Sequence, residues 1–231
     1  MSLEESSSFL RGIVGGSSNN ADTVYFREVK VLLEHEGIGP QIAEDVYVAP
    51  TAVVCGDVRI GAGSRILFGA ILTAEGGPVE IGEHCIVMEN ALVRGRATHP
   101  TRIGDHVLIG PHAHINGAVV EDAVFLATGA AVFPGAHLGA RSEVRINAVV
   151  HVNSHLPPGT TVPIGWVAVG DPAQLFPPDA HEDLWSVQQE MQFTETVYGV
   201  DRAEEGSTIM PEITQQYADL FGRHLNDRII E

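Results

Sequence analysis

Between Val48 and Val162 an aliphatic residue recurs at every sixth position, with small or polar residues between. Val48, Val54, Ile60, Ile66 and Leu72 keep this spacing without a slip. Ile81, Val87 and Val93 resume it after one interruption, and Ile103, Ile109 and Ile115 after a second. A single five-residue step leads to Val120, and Leu126, Val132, Leu138, Val144, Val150, Leu156 and Val162 follow in phase. Four positions past these anchors stand small or β-branched residues: Ala52, Val58, Ser64, Ala70, Cys85, Ala91, Ala113, Ala130, Ala136, Ser142 and Ala148. Gly often follows the anchor directly, as at Gly61, Gly82, Gly104 and Gly110.

A period of six fits neither an amphipathic helix, which repeats at about 3.6 residues, nor a half-buried strand, which repeats at about 2. It predicts an all-β solenoid, a single-stranded parallel β-helix whose short flat strands turn a corner every six residues. Three hexads make one triangular coil of about eighteen residues. The anchors then stack inside the prism, and the small residues sit where corners leave little room. Gly is expected to supply backbone freedom at the turns.

The pattern divides the chain. Residues 1–23 read as a flexible tail, rich in Ser, Gly and Asn and without an apolar signal-peptide core, and Met1-Ser2-Leu3 reads as an expression scar. The β-helix domain is expected over 24–172, with Val24 to Leu33 as a leading strand or cap. The two breaks, Thr73 to Glu80 and Arg94 to Arg102, read as loops extruded from corners, where repeat proteins tend to carry their sites. From 173 to 231 the chain is expected to form a helical extension packed on the β-helix as a C-terminal α-helical cap. Its helices are predicted at Ala180 to Gln192 and Pro211 to Leu225, with Trp185, Tyr217 and Phe221 assigned to packing.

Lys and Arg total 13 against 30 Asp and Glu, a net charge of −17 that argues against nucleic acid and anionic membrane partners. Two cysteines make no disulfide framework, and Cys85 at a small-residue position reads as a reduced core thiol. No apolar run approaches membrane-spanning length, and the expected compartment is the cytoplasm.

Gly56-Asp57-Val58-Arg59-Ile60-Gly61, Ala70-Ile71-Leu72, Gly77-Pro78-Val79-Glu80-Ile81-Gly82, Ile103-Gly104-Asp105-His106-Val107 and Ala127-Thr128-Gly129-Ala130 together resemble the γ-class carbonic anhydrases and their hexapeptide-repeat relatives. The resemblance covers about Val46 to Pro172. It implies a left-handed β-helix and a homotrimer. It also implies a zinc or iron ion held between subunits by three histidines, whose bound water becomes the nucleophile toward carbon dioxide. The family's ligand positions, however, fall on Arg94, Pro111 and Asn116, and its Arg-Gly-Asp becomes Thr73-Ala74-Glu75. Arg and Pro offer no metal-binding lone pair, and Asn is a poor zinc ligand.

Three histidines lie near those positions: His99, His112 and His114. One reading makes them a relocated metal site for zinc or iron, shared across a subunit interface. The other makes them interface or solvated turn residues, since a one-residue shift on a strand turns a side chain to the opposite face. Glu75 is either a catalytic proton acceptor or the ion-pair partner of Arg94 or Arg96, with Thr73, Arg94, Pro111 and Asn116 lining the cleft. His84 and His106, each three past an anchor, are expected to stack on adjacent coils as exposed turn residues.

Three functions follow from these residues. The first is a γ-carbonic anhydrase-like protein with replaced ligands, weak or absent ordinary carbonic anhydrase activity, and an unknown small-molecule substrate. The second is an acyl-CoA-dependent acyltransferase with His99 as general base. The third is a non-catalytic trimeric assembly protein.

Overall fold

The structure is a computed structural model that describes residues 31–204 and 206–230. The tail expected at 1–23 lies outside these residues, as does the leading strand up to its described part, Val31–Glu34.

Each anchor of the six-residue ladder points into one continuous core, and none is more than 4% exposed. The small residues four positions on are buried with them. Because anchors repeat in register, each coil lies directly on the next and shares its backbone hydrogen bonds with it. Leu108 N donates to Val124 O at 3.1 Å, Phe125 N to Ser142 O at 3.0 Å and Glu143 N to Thr160 O at 2.9 Å. The prism that results is a left-handed parallel β-helix with a C-terminal helical segment.

Its three sides are one sheet of ten strands and two of seven. The ten-stranded wide face stacks Val53–Cys55, Ile71–Glu75, Leu92–Arg96, His114–Asn116, Ala131–Val132, Val149–Val150 and Val167–Val169 in parallel on Val31–Glu34. Antiparallel strands close both ends of this face: Gln174–Phe176 on Val167–Val169, and Arg228–Ile230 on Val31–Glu34. The second face runs through Val58–Ile60 and Val119–Val120, and the third through Leu108–Ile109 and Phe125–Leu126.

Turn chemistry differs from the expectation in one respect. The left-handed conformation falls three residues past the anchor, at Gly63, His84, His106, His112, Gly129 and Asn147 among others, with φ between 54° and 72°. The glycines directly after the anchor are needed for close stacking instead. A Cβ on Gly61 would lie 2.6 Å from the Gly82 carbonyl carbon and oxygen, and one on Gly82 would lie 2.7 Å from those of Gly104. His84 and His106 stack as expected, ring centroids 5.2 Å apart, and both are exposed.

The two breaks are shorter excursions than the sequence implied. The strand Ile71–Glu75 runs on alongside Leu92–Arg96, so Thr73, Ala74 and Glu75 pair with Arg94, Gly95 and Arg96. Only the stretches 76–78 and 97–100 leave the sheet. The extra residues lengthen parallel pairing, which satisfies their backbone groups better than an extruded loop would.

The C-terminal segment holds α1 (His181–Gln188), α2 (Phe193–Tyr198) and α3 (Met210–Phe221). α1 and α3 are the two expected helices, each passing into a 3-10 turn, Gln189–Met191 and Gly222–Asn226, where a continued helix was expected. Pro211 fits the start of α3 because its missing N–H is unbonded in a first turn anyway. α2 and the terminal strand Arg228–Ile230 had no periodic signal. No helix among the described residues is long and apolar enough to cross a membrane.

Burial separates neighbouring positions sharply. Leu126 is fully buried, while Phe125 beside it is 40% exposed. Leu126→Ala is expected to cost about 2–5 kcal/mol of unfolding free energy and Phe125→Ala less than about 1 kcal/mol, both read from urea denaturation.

Candidate functional site

Strand register assembles the site. On the wide face, Cys55, Thr73, Arg94 and Asn116 are Cα partners in successive strands. Phe133 and His151, each one past the paired Val132 and Val150, continue the column. As each of these residues neighbours an inward anchor, its side chain points out of the prism. This column is not in open solvent, because the C-terminal segment lies over it.

The cover is aromatic. Phe193 packs on Phe133 and His151 with centroids 5.8 and 5.5 Å away. Contacts then run from Phe193 to Tyr198, Tyr217, Phe221 and His224 at centroid separations of 5.3 to 6.4 Å. Polar ties pin it down: Asn153 Nδ2 donates to Thr196 Oγ1 at 3.0 Å, and an Arg96 Nη2 hydrogen bond reaches Val197 O. Tyr217 and Phe221 therefore pack, as expected, and they also line a cavity.

That cavity, about 310 Å³, lies between the sheet and the cover. Glu75, Arg94, Arg96 and Thr98 form its floor, with Val197, Tyr198, Tyr217, Leu220, Phe221 and Arg223 above. The Arg94 guanidinium sits against the Phe221 ring, 5.8 Å from its centroid. The arginine–carboxylate pairs among the described residues involve Arg59, Arg102, Arg145, Arg223 and Arg228. Neither Arg94 nor Arg96 is among them.

Buried polar atoms without a partner among the described residues gather on this face. They are Arg94 Nε, Asn116 Oδ1, His114 Nε2 and His151 Nδ1, with Asn116 5% and His151 4% exposed. Such atoms cost free energy unless a ligand or water meets them. Gln188 Nε2 donates to His151 Nε2 at 3.0 Å, so the neutral ring carries its proton on Nδ1, the unmet position.

The residues singled out from the sequence end in different places. Thr73 is buried and donates to Glu75 Oε1 at 2.8 Å. Glu75, 8% exposed, pairs with neither Arg94 nor Arg96: its oxygens lie 3.1 and 3.2 Å from Nε2 of His224, a residue that no sequence pattern places there. His99 sits in the tight turn after Arg96, with Nδ1 2.9 Å from Thr98 Oγ1. His114 points outward from the wide face, edge-on to Phe133 at 6.2 Å. His112 occupies an exposed left-handed corner, and Pro111 beside it lines a groove of the third face. Within one chain, His99, His112 and His114 do not bring their ring nitrogens to a common point.

No protein-family profile matches the chain. It is 33% identical over 175 residues to gamma carbonic anhydrase 1, mitochondrial, of Arabidopsis thaliana, covering 71% of this chain and 62% of that protein. It is 34% identical over 156 residues to gamma carbonic anhydrase 2, mitochondrial, of the same plant, covering 65% and 54%. The chain thus spans between 54% and 62% of the length of these two relatives. A solved UDP-N-acetylglucosamine acyltransferase of Francisella novicida superposes with a TM-score of 0.50 at 15% identity, over 84% of this chain and 85% of that one, a likeness of fold alone.

The covered imidazoles make stability depend on pH. Burial pushes His151 below the ordinary imidazole value, and burial with the Arg94 charge does the same to His114. The unfolded chain then takes up protons near about pH 6.5 that the folded chain refuses, so stability is full above that value and falls as pH drops through it. Urea midpoints are expected to decline between about pH 8 and about pH 5.5, and to decline less in His151→Leu. An equal decline in the variant would remove His151 as a source.

Proposed function

Because the chain is a γ-carbonic anhydrase-like protein of the hexapeptide-repeat superfamily, we propose that it keeps that scaffold but binds a small carboxylate in the covered cleft rather than hydrating carbon dioxide. The observation that carries this reading is a pair of guanidinium groups, Arg94 and Arg96, that line the cavity and have no ion-pair partner among the described residues, Arg96 being held by the Val197 carbonyl.

The residues at the family's metal positions do not fit the metal. Arg94 is a permanent cation and Pro111 has no side-chain donor atom. Pro111 also stands at a different corner from Arg94 and Asn116, which pair on the wide face. A cation held at Arg94 would meet like charge. An anion there meets a planar fork of N–H donors suited to a carboxylate. Tyr198, Tyr217, Phe221 and Leu220 offer apolar surface for the body of such a ligand, and the low polarity under the cover strengthens the charge interaction. Glu75, tied to Thr73 and His224, anchors the cover beside the cleft, and it and Glu195 are the carboxylates of the lining able to accept a proton.

The test is thermal denaturation across a panel of small carboxylates, with carbon dioxide hydration measured alongside. A ligand at about 100 times its Kd stabilises by about 2.7 kcal/mol, a rise of a few degrees in midpoint. Wild type is expected to show this rise, Arg94→Met to lose it, and hydration to stay near background. Equal responses in both proteins, or turnover like that of a competent carbonic anhydrase, would refute the reading.

The same reading includes a homotrimer. Phe125, Ile146 and Ile164 are 40–62% exposed on the third face and its corner and, with Met88 and Pro111, line a groove of about 560 Å³. An apolar strip of this kind is what a second copy would cover. His112 lies next to it, so a metal shared by His99, His112 and His114 of different subunits depends on this association. Sedimentation is expected to give a trimer for wild type and a smaller species for Ile164→Glu. A wild-type monomer at micromolar concentration would exclude both the trimer and the shared site.

A further inference from the structure

At the edge of the wide face, two strands across from Arg94, side chains from both ends of the described chain converge. His35 Nδ1 lies 2.6 Å from Asp227 Oδ1, His224 Nδ1 lies 2.7 Å from Asp227 Oδ2, and the Cys55 thiol donates to Asp227 Oδ2 at 3.5 Å. Ligand atoms of His35, Cys55, His224 and Asp227 all fall within 4.8 Å of one another. His35 and His224 stack with centroids 4.3 Å apart. His35 and Cys55 are buried, at 5% and 3% exposure, and the Asp227 side chain is 11% exposed.

We propose that His35, Cys55, His224 and Asp227 form a binding site for a zinc-class divalent ion, separate from the cleft at Arg94. Two imidazoles, a thiolate and a carboxylate are a tetrahedral zinc ligand set. Ligand atoms around such an ion stand roughly 3.3–3.8 Å apart at ordinary bond lengths. The spacing around Asp227 therefore has to widen by less than about 1 Å at two contacts and not at all at the sulfur.

The surroundings fit a ligated state. On binding, the Cys55 thiol gives its proton to solvent. Each imidazole presents an unprotonated Nδ1 and keeps its remaining proton on Nε2. That proton on His224 then points at Glu75, 3.1 Å away, and the one on His35 faces Glu36 at 4.0 Å. A carboxylate behind a metal-bound histidine fixes its tautomer and raises its basicity. Thr73 in turn holds Glu75 by a 2.8 Å hydrogen bond. The ion would join the first strand of the prism to residues 192 positions later, fastening the terminal strand and the cover.

The test uses the full chain, purified without chelator and dialysed against micromolar zinc, and does not depend on the carboxylate reading. Metal analysis is expected to give about one zinc per chain, lost in Cys55→Ala and His224→Gln and kept in Cys85→Ala, Arg94→Met and His112→Ala. Glu75→Gln, which leaves all four ligands in place, is expected to weaken zinc binding by about 10–100-fold. Cobalt in place of zinc is expected to give a thiolate-to-cobalt charge-transfer band in wild type and Cys85→Ala but not in Cys55→Ala. A metal-free wild type would overturn the proposal. So would zinc retained in folded Cys55→Ala, or zinc lost in His112→Ala alone, which would place the ion at the subunit interface.

Discussion

The constraint on which everything else rests is the closure of each coil onto the one before. A strand of two or three residues makes too few hydrogen bonds and buries too little surface to stand alone. It persists here because its amide and carbonyl groups meet those of the coils above and below, and because its anchor fills space between neighbouring anchors. That stacking tolerates no side chain at Gly61 or Gly82, where successive backbones nearly touch. It also places a left-handed residue at most corners, usually glycine, asparagine or histidine but also Ala123 and Arg141.

Register then decides the chemistry. Once Leu72, Val93 and Ile115 face inward, Thr73, Arg94 and Asn116 must form a row on the outside. In a scaffold whose relatives are named carbonic anhydrases, this row lies beneath a cover built from α2 and α3. The cover turns exposed polar residues into buried ones, so an arginine, an asparagine and two histidines are left with atoms that no described residue satisfies. The wide face is thus hydrogen-bonded along its strands and unsatisfied across its outer surface, an imbalance that a bound molecule would correct.

Most of the prism was legible in the sequence, because a six-residue period repeats often enough to fix which side chains face inward. The pairing of Arg94 with Asn116 and the stacking of His84 on His106 follow from counting. The role of the post-anchor glycines was misread, since a close approach between coils leaves no mark in the local pattern that a tight turn would not also leave. Of the two readings of Glu75, the ion pair with Arg94 or Arg96 is not formed, although register brings those arginines to the adjacent strand, because His224 reaches it across 149 positions. His35, Cys55, His224 and Asp227 had no common signal at all. They belong to a strand, a corner and a 3-10 turn whose meeting depends on the path of the last segment, and no periodicity encodes that path.

The antiparallel strand Arg228–Ile230 seals the edge of Val31–Glu34, and this has a consequence for the order of assembly. Coils can zip up one upon another through contacts roughly one turn apart, a local and rapid process. The edge of the first coil must wait for a segment nearly the whole chain away, and such closures are slow because the intervening chain has to be ordered first. Until then the growing prism presents an open row of amides and carbonyls, a template on which another chain can add a strand. The last strand to arrive therefore removes that template from the wide face at its first coil, as Gln174–Phe176 removes it at the opposite end.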